Sequence, residues 1–288
     1  LLEERYAALL PGHPQLRGEI LTARAHLAMA REDLDAAEAY LREAIRERQG
    51  PQHRLIAAMQ QYAQATAPEQ GRALFEEWLA TAGRTPENLM AAAMQLNNTR
   101  ERERAYTLAR EAWEQVAPLS LMQTQAQSWN RRGGGSWQNI FEQMLNVATQ
   151  AEKQQEVIAE LQARVQEHPG SVVFQRYLIR AYQSNGRTRE ALDQFEQLVA
   201  ARPADASLKL EYAQLLLEAG ETNKARELAE TLMQSQPRRL PELRHFLVTL
   251  VQRAPSEEAS ALVDQVARQA QDPRALMEMA QLLQSQQK

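Results

Sequence analysis

The chain repeats itself every 34 residues. Pro169, Pro203 and Pro237 stand at that interval, as do Gly186 and Gly220, and Ala191, Ala225 and Ala259. A period of this length confines a chain to architectures in which one small unit is stacked on its like, because such a unit cannot bury its apolar face alone. Residues 172–203 show the unit's form. Leu178, Ile179 and Tyr182 fall on one helical face, Gly186 follows, and Ala191, Phe195 and Leu198 fall on a second face. Apolar residues at i, i+3, i+4 and i+7 in each arm predict a helical hairpin. Glycine at the end of the first helix can take φ > 0 and let the chain reverse. An alanine such as Ala191 lets the second helix approach closely, and the proline beyond stops it, having no N–H to donate.

Composition agrees. Aromatic content of 6% and long tracts of Ala, Leu, Glu, Gln and Arg favour helix and exclude an all-β fold. With 44% hydrophobic and 24% charged residues in 288, the chain is of the folded class and too long for one small core. Basic (33) and acidic (37) side chains alternate to a net charge of −4, so no basic field exists for a phosphate backbone, and nucleic acid is not an expected partner. The absence of cysteine excludes disulfides, thiolate metal sites and a cysteine nucleophile. No apolar run approaches the roughly 20 residues that cross a bilayer. His13, His26, His53, His168 and His245 are dispersed with no i, i+4 pair, and the glycines 133–135 lack the strand-then-helix setting of a phosphate cradle. No catalytic residue, cofactor or metal site is therefore predicted, and the chain reads as non-enzymatic.

On the residues above, the chain resembles the tetratricopeptide repeat (TPR) family, whose 34-residue unit has two antiparallel helices. Residues 138–171, 172–205 and 206–239 carry the match. They supply Leu145, Ile179 and Ala213, then Ala148, Tyr182 and Leu216, on first helices; Val157, Ala191 and Ala225, then Leu161, Phe195 and Ala229, stand on second helices. Glu152 stands where the turn glycine is expected and Arg164 where an apolar residue packs, so this unit is expected to turn differently or pack less tightly. Residues 240–273, 86–118, 20–49 and 52–83 are weaker copies. The last holds Ala73, Leu74, Trp78 and Leu79 on its second helix, and the turn 30–33 of the first copy sits a residue out of register. The resemblance implies an all-α fold, an α-α superhelical solenoid of about seven stacked hairpins.

The frame breaks once. Residues 119–137, LSLMQTQAQSWNRRGGGSW, belong to neither neighbouring unit. The sequence thus divides into degenerate hairpins at 1–118, an inserted short helix and glycine-rich loop at 119–137, the best units at 138–239, and a degenerate repeat with an unpaired helix at 240–288. Within the insertion, Trp129 and Trp137 are candidate aromatic anchors and Arg131 and Arg132 candidate anion receivers. The competing reading, preferred here, is a solvated insertion, since loop length is tolerated at little cost. Residues 1–10 have the pattern of a second helix and 274–284 that of a first helix without a partner, so the chain reads as part of a longer protein with uncapped ends through which it could self-associate.

The resemblance also implies where a partner binds. A groove lined by first helices would hold a protein or peptide, and the family pattern assigns to it Met90, Met94 and Asn97, then Asn139, Glu142, Asn146 and Thr149, then Arg176, Arg180 and Gln183, then Gln214. Arg176 and Arg180 could jointly receive a carboxylate. The alternative, preferred here, has them paired with carboxylates such as Glu211. Met90 and Met94 could line a forgiving groove, though methionines at helical spacing are more often core. The expected function is a scaffold for protein–protein interaction in a larger bacterial envelope or secretion assembly such as exopolysaccharide export, with a periplasmic location by family analogy. The alternative is an accessory TPR region of an enzyme, for example a glycosyltransferase, whose catalytic domain lies elsewhere.

Overall fold

The computed structural model describes residues 16–47, 52–99, 101–117, 136–235, 240–253, 257–269 and 277. Among these residues the chain is all-α, of the α-α solenoid class, with fourteen helices and no strand. It divides into two compact units, 1–159 and 160–288.

In the first unit, three hairpins pair α1 (Arg17–Ala30) with α2 (Leu34–Glu47), α3 (Gln52–Ala65) with α4 (Pro68–Ala82), and α5 (Pro86–Asn97) with α6 (Arg102–Val116). Then come α7 (Ser136–Gln150) and α8 (Gln154–Glu167), the latter running across the division between the units. The first helices pack in order, α1 on α3, α3 on α5 and α5 on α7. Although the insertion separates α6 from α7 in sequence, the two helices pack together, with the Trp113 and Phe141 ring centroids 4.8 Å apart. In the second unit, α9 (Val172–Ser184) pairs with α10 (Thr188–Ala201), α11 (Ala206–Glu218) with α12 (Thr222–Ser235), and α13 (Leu240–Arg253) with α14 (Glu257–Gln269). Leu216, Ala229, Phe246, Leu247 and Val263 join its later hairpins in one apolar cluster.

Local chemistry sets the helix limits. Side-chain oxygens of Thr85, Ser171 and Asp205 accept backbone N–H groups at the starts of α5, α9 and α11, a cap whose loss costs about 1 kcal/mol. At the end of α9, Gly186 has φ 67°; the Arg187 N–H donates to the Tyr182 carbonyl (2.9 Å) and the Gly186 N–H to that of Gln183 (3.1 Å). Gly220, φ 84°, repeats these bonds after α11. These are the paired bonds of a Schellman turn, which requires a left-handed residue.

Glu152 departs from expectation. Its turn does not differ: with φ 59°, Glu152 donates to the Thr149 carbonyl (3.3 Å) and Lys153 to that of Ala148 (2.8 Å), the same closure as at the glycines. Glu32, φ 62°, closes the α1–α2 turn likewise. The hydrogen bonds and packing on both sides dictate the reversal, and the glutamate bears the Cβ–carbonyl crowding that glycine avoids. Glu152→Gly should therefore stabilise the protein by about 1 kcal/mol, the relief being partly offset by the freer unfolded chain. Slower hydrogen exchange at the Lys153 amide would show it, and unchanged exchange would count against strain at this turn. Arg164, expected to loosen its unit, keeps its place by lying over the Phe174 ring, 5.7 Å from the centroid, while donating to Glu160.

From α2 to α12 the close-approach position is the fourth residue of each second helix; in α14 the buried Ala259 is the third. Ala37, Gly71 and Ala105 stand 34 residues apart, and after the insertion Val157, Ala191 and Ala225 resume the interval. All are buried. In 52–83 the small residue is thus Gly71, whereas Ala73 is exposed, and the turn at 30–33 is in register after all. Polar pairs between successive hairpins recur at i, i+35: Glu19 with Arg54, His26 with Gln61, Arg42 with Glu77 and Arg176 with Glu211.

Candidate partner-binding face

In the first unit, α3 and α7 each leave one stripe exposed, and α5 leaves one that is half-buried beyond Glu87. On α7 the stripe is Asn139, Glu142, Asn146 and Gln150; on α5 it is Glu87, Ala91, Met94 and Gln95; on α3 it is His53, Ala57, Gln61 and Gln64. Helical spacing of i, i+3 or i+4, and i+7 puts each set on one side of its helix, and because these helices pack in order, the stripes are neighbours. Cross-links tie α1 to α3 along them: Arg54 donates to Glu19 at 3.1 Å, and His26 Nδ1 lies 2.9 Å from Gln61 Oε1. On α7 the amides form a local chain, Gln143 donating to Asn139 at 3.1 Å and Gln150 to Asn146 at 3.4 Å.

Ion pairs concentrate on the other layer. Arg42 contacts Glu38 and Glu77; Arg84 contacts Glu76 and Glu111; Arg104 contacts Glu76; and Arg72 contacts Glu101. The Tyr62 hydroxyl donates to Glu38 at 2.7 Å, and this bond, with Arg42, holds the Glu38 carboxyl below its usual range. Exposed pairs of this kind contribute about 0–1 kcal/mol each. Their effect is to neutralise the surface of second helices.

The residues expected to line a groove are placed unevenly. Asn139, Glu142, Asn146 and Thr149 are exposed, with the Thr149 hydroxyl donating back to the Leu145 carbonyl at 2.9 Å. Met94 and Gln183 are half-buried; Arg180 and Gln214 are exposed. Met90 is only 3% exposed and Asn97 5%, both within the packing of α5. Arg176 is 8% exposed, and its Nη2 donates to Glu211 Oε1 at 2.7 Å across α9 and α11. Burial pushes the Arg176 guanidinium down and the Glu211 carboxyl up, each against the pull of the other's charge. Trp137 falls in the first turn of α7 rather than in a loop, while Trp129, Arg131 and Arg132 lie outside the described residues. What sequence reasoning missed is Gln95 and the α3 stripe, which the 34-residue interval through Ala37 and Gly71 could have supplied.

No group of three potential metal-ligating side chains occurs among the described residues, and no helix among them is long and apolar enough to cross a membrane. In the second unit a cavity of about 320 Å³ opens between α12 and α14, floored by Met233 and Leu262 and edged by the Arg226–Glu230 pair.

Residues 182–247 match the family described as Tetratricopeptide repeat, and residues 87–205 match one described as Bacterial transcriptional activator domain. No curated protein matches the chain. Among solved structures, a tetratricopeptide repeat protein from Parabacteroides merdae is 15% identical, with 93% of this chain and 99% of that one covered and a TM-score of 0.37. The flexible tandem repeat domain of a bacterial cellulose synthase is 16% identical, with 94% and 97% covered and a TM-score of 0.36. PilF of Pseudomonas aeruginosa is 16% identical, with 92% and 96% covered and a TM-score of 0.31. The repeat interval, the hairpins closed by left-handed turns and the family match agree over residues 182–247, and this part of the chain carries tetratricopeptide repeats.

Proposed function

We propose that the chain is a non-enzymatic scaffold that holds a partner protein on the face formed by its first helices. One observation carries this reading: ion pairs neutralise the second helices, whereas α7 presents amides, Asn139, Asn146 and Gln150, to its open side. A side-chain amide both donates and accepts without net charge, so it matches the main chain of an extended segment whatever that segment's sequence. Met94 on α5 adds an adaptable apolar contact. In the second unit taken by itself, Arg180, Gln183 and Gln214 offer polar groups of the same kind on α9 and α11, with Arg176 buried; in the first, Met90 and Asn97 are buried. Trp129, Arg131, Arg132 and Trp137 are secondary anchors in this reading. The finer assignment, a periplasmic part of a bacterial envelope assembly such as exopolysaccharide export, rests on the Ala-, Arg- and Gln-rich repeats, and fractionation of the full-length protein in its host tests it.

A photo-crosslinking residue placed at Asn146 should capture the partner in host extract, and one at Arg110, exposed on the second helix α6, should not. Capture from Arg110 alone would place the partner on the opposite layer and overturn the proposal.

A further inference from the structure

Within the first unit, the second and third hairpins meet differently from the first and second. At the earlier seam both layers are in contact, α1 on α3 and α2 on α4. At the later seam α5 packs against α3 and α4, but the backbones of α4 and α6 barely approach one another. What spans that gap is charge. Arg104 of α6 donates through Nε to Glu76 Oε1 of α4 at 2.6 Å, and Arg72 of α4 lies 3.2 Å from Glu101, the residue before α6. Arg84, in the α4–α5 loop, stands between the two helices: it reaches Glu76 at 3.3 Å and holds Glu111 of α6 through bonds of 2.8 and 2.5 Å. Its hydrogen bonds keep the Glu111 carboxyl below the usual range. All these side chains remain 16% to 44% exposed, so salt ions can reach them. A single exposed pair contributes little, but here three arginines and three glutamates act at one seam whose outer helices have little packing to replace them.

We propose that this charge cluster is a latch that sets the angle between the second and third hairpins, and that screening or neutralising it lets the third hairpin rotate on α3 and α4. Gly83, which ends α4 with φ 92°, is the pivot, having no Cβ to resist the change. Because α5, α6 and α7 pack closely on one another, they move as one body. The first seam lacks this freedom, since α2 and α4 pack directly in addition to the Arg42–Glu77 pair. The stripes of α3 and α5 lie across the latched seam, so charge on the second-helix layer governs the spacing of groups on the first-helix layer. The inference stands whether or not a partner occupies that face.

The chain has no cysteine, so spin labels can be placed in chosen pairs. Ala39, Ala73 and Thr107 are exposed and occupy the same position on α2, α4 and α6. In the full chain, double electron–electron resonance between labels at Ala73→Cys and Thr107→Cys should give a narrow distance distribution at low salt. It should lengthen and broaden at about 1 M NaCl, where the Debye length is about 3 Å. Labels at Ala39→Cys and Ala73→Cys should respond far less. Glu76→Gln with Glu111→Gln should give the broad α4–α6 distribution already at low salt, and added salt should then change it little. The salt comparison needs no charge variant, so it decides the matter even if the double variant folds poorly. An α4–α6 distribution unmoved by salt, or an equal change between α2 and α4, overturns the inference, as does a double variant that keeps the narrow distribution with its helical circular dichroism intact.

Discussion

Arg176→Met is expected to cost about 3 kcal/mol, the lower end of what is lost when one member of a buried ion pair is removed. Arg176 is 8% exposed and the Glu211 side chain 29%, so in the variant the carboxylate is left largely desolvated with its 2.7 Å donor gone. The charge, rather than the lost contact, is the source of the cost. It follows that Arg176→Met combined with Glu211→Leu should recover most of the stability, or exceed the parent, because apolar side chains of similar volume need no desolvation compensated. Because the chain has two compact units, a single unfolding midpoint would mix them. Native-state hydrogen exchange reads the effect where it occurs: amides of α9 and α11 should lose protection in the single variant and regain it in the double, while those of α1 and α3 serve as an internal reference. A single variant within 0.5 kcal/mol of the parent would mean that the pair behaves as a surface one.

Gly71→Ala runs against helix propensity. In a free helix the change favours helix by about 1 kcal/mol. Here a Cβ at position 71 would lie far inside contact distance of the Ala63 Cβ and only 3.0 Å from its Cα, so backbone must move and α3 and α4 must separate. Overpacking of this kind costs about 1–3 kcal/mol. The net expectation is loss of about 1–2 kcal/mol, read as faster exchange in α3 and α4. Ala63→Gly in the same chain removes the opposing methyl, so the double variant should be less impaired than Gly71→Ala alone. Additive effects would show that the two positions do not meet.

Much of the fold was legible because its signals are local and recur. Ile179, Tyr182, Ala191 and Phe195, read from spacing alone, are all buried, and so are their counterparts Ala213, Leu216, Ala225 and Ala229 one period later. Apolar spacing of 3.6 residues and a chain-reversing glycine are properties of a few adjacent residues, and repetition multiplies the evidence for each. The candidate face was legible only in part. Asn139, Glu142 and Asn146 are exposed as the family pattern implies, but Met90, Asn97 and Arg176 are taken inward. A position in a repeat gives a side chain's direction from its own helix. It does not say how far the neighbouring helix covers it.

By itself, then, the sequence determined the helices, the hairpins and their interval, since dihedral preference, capping and amphipathic spacing are decided within a turn or two of chain. Only the tertiary structure decided the rest: that glutamates at 32 and 152 assume the left-handed conformation, that Gly71 rather than Ala73 meets the preceding helix, that Arg176 is spent on Glu211, and that Asn97 is buried unmatched. Each is settled by atoms some 8 to 35 residues away or by packing on both sides of a turn, and their energies of about 1–3 kcal/mol are enough to override a local preference of comparable size.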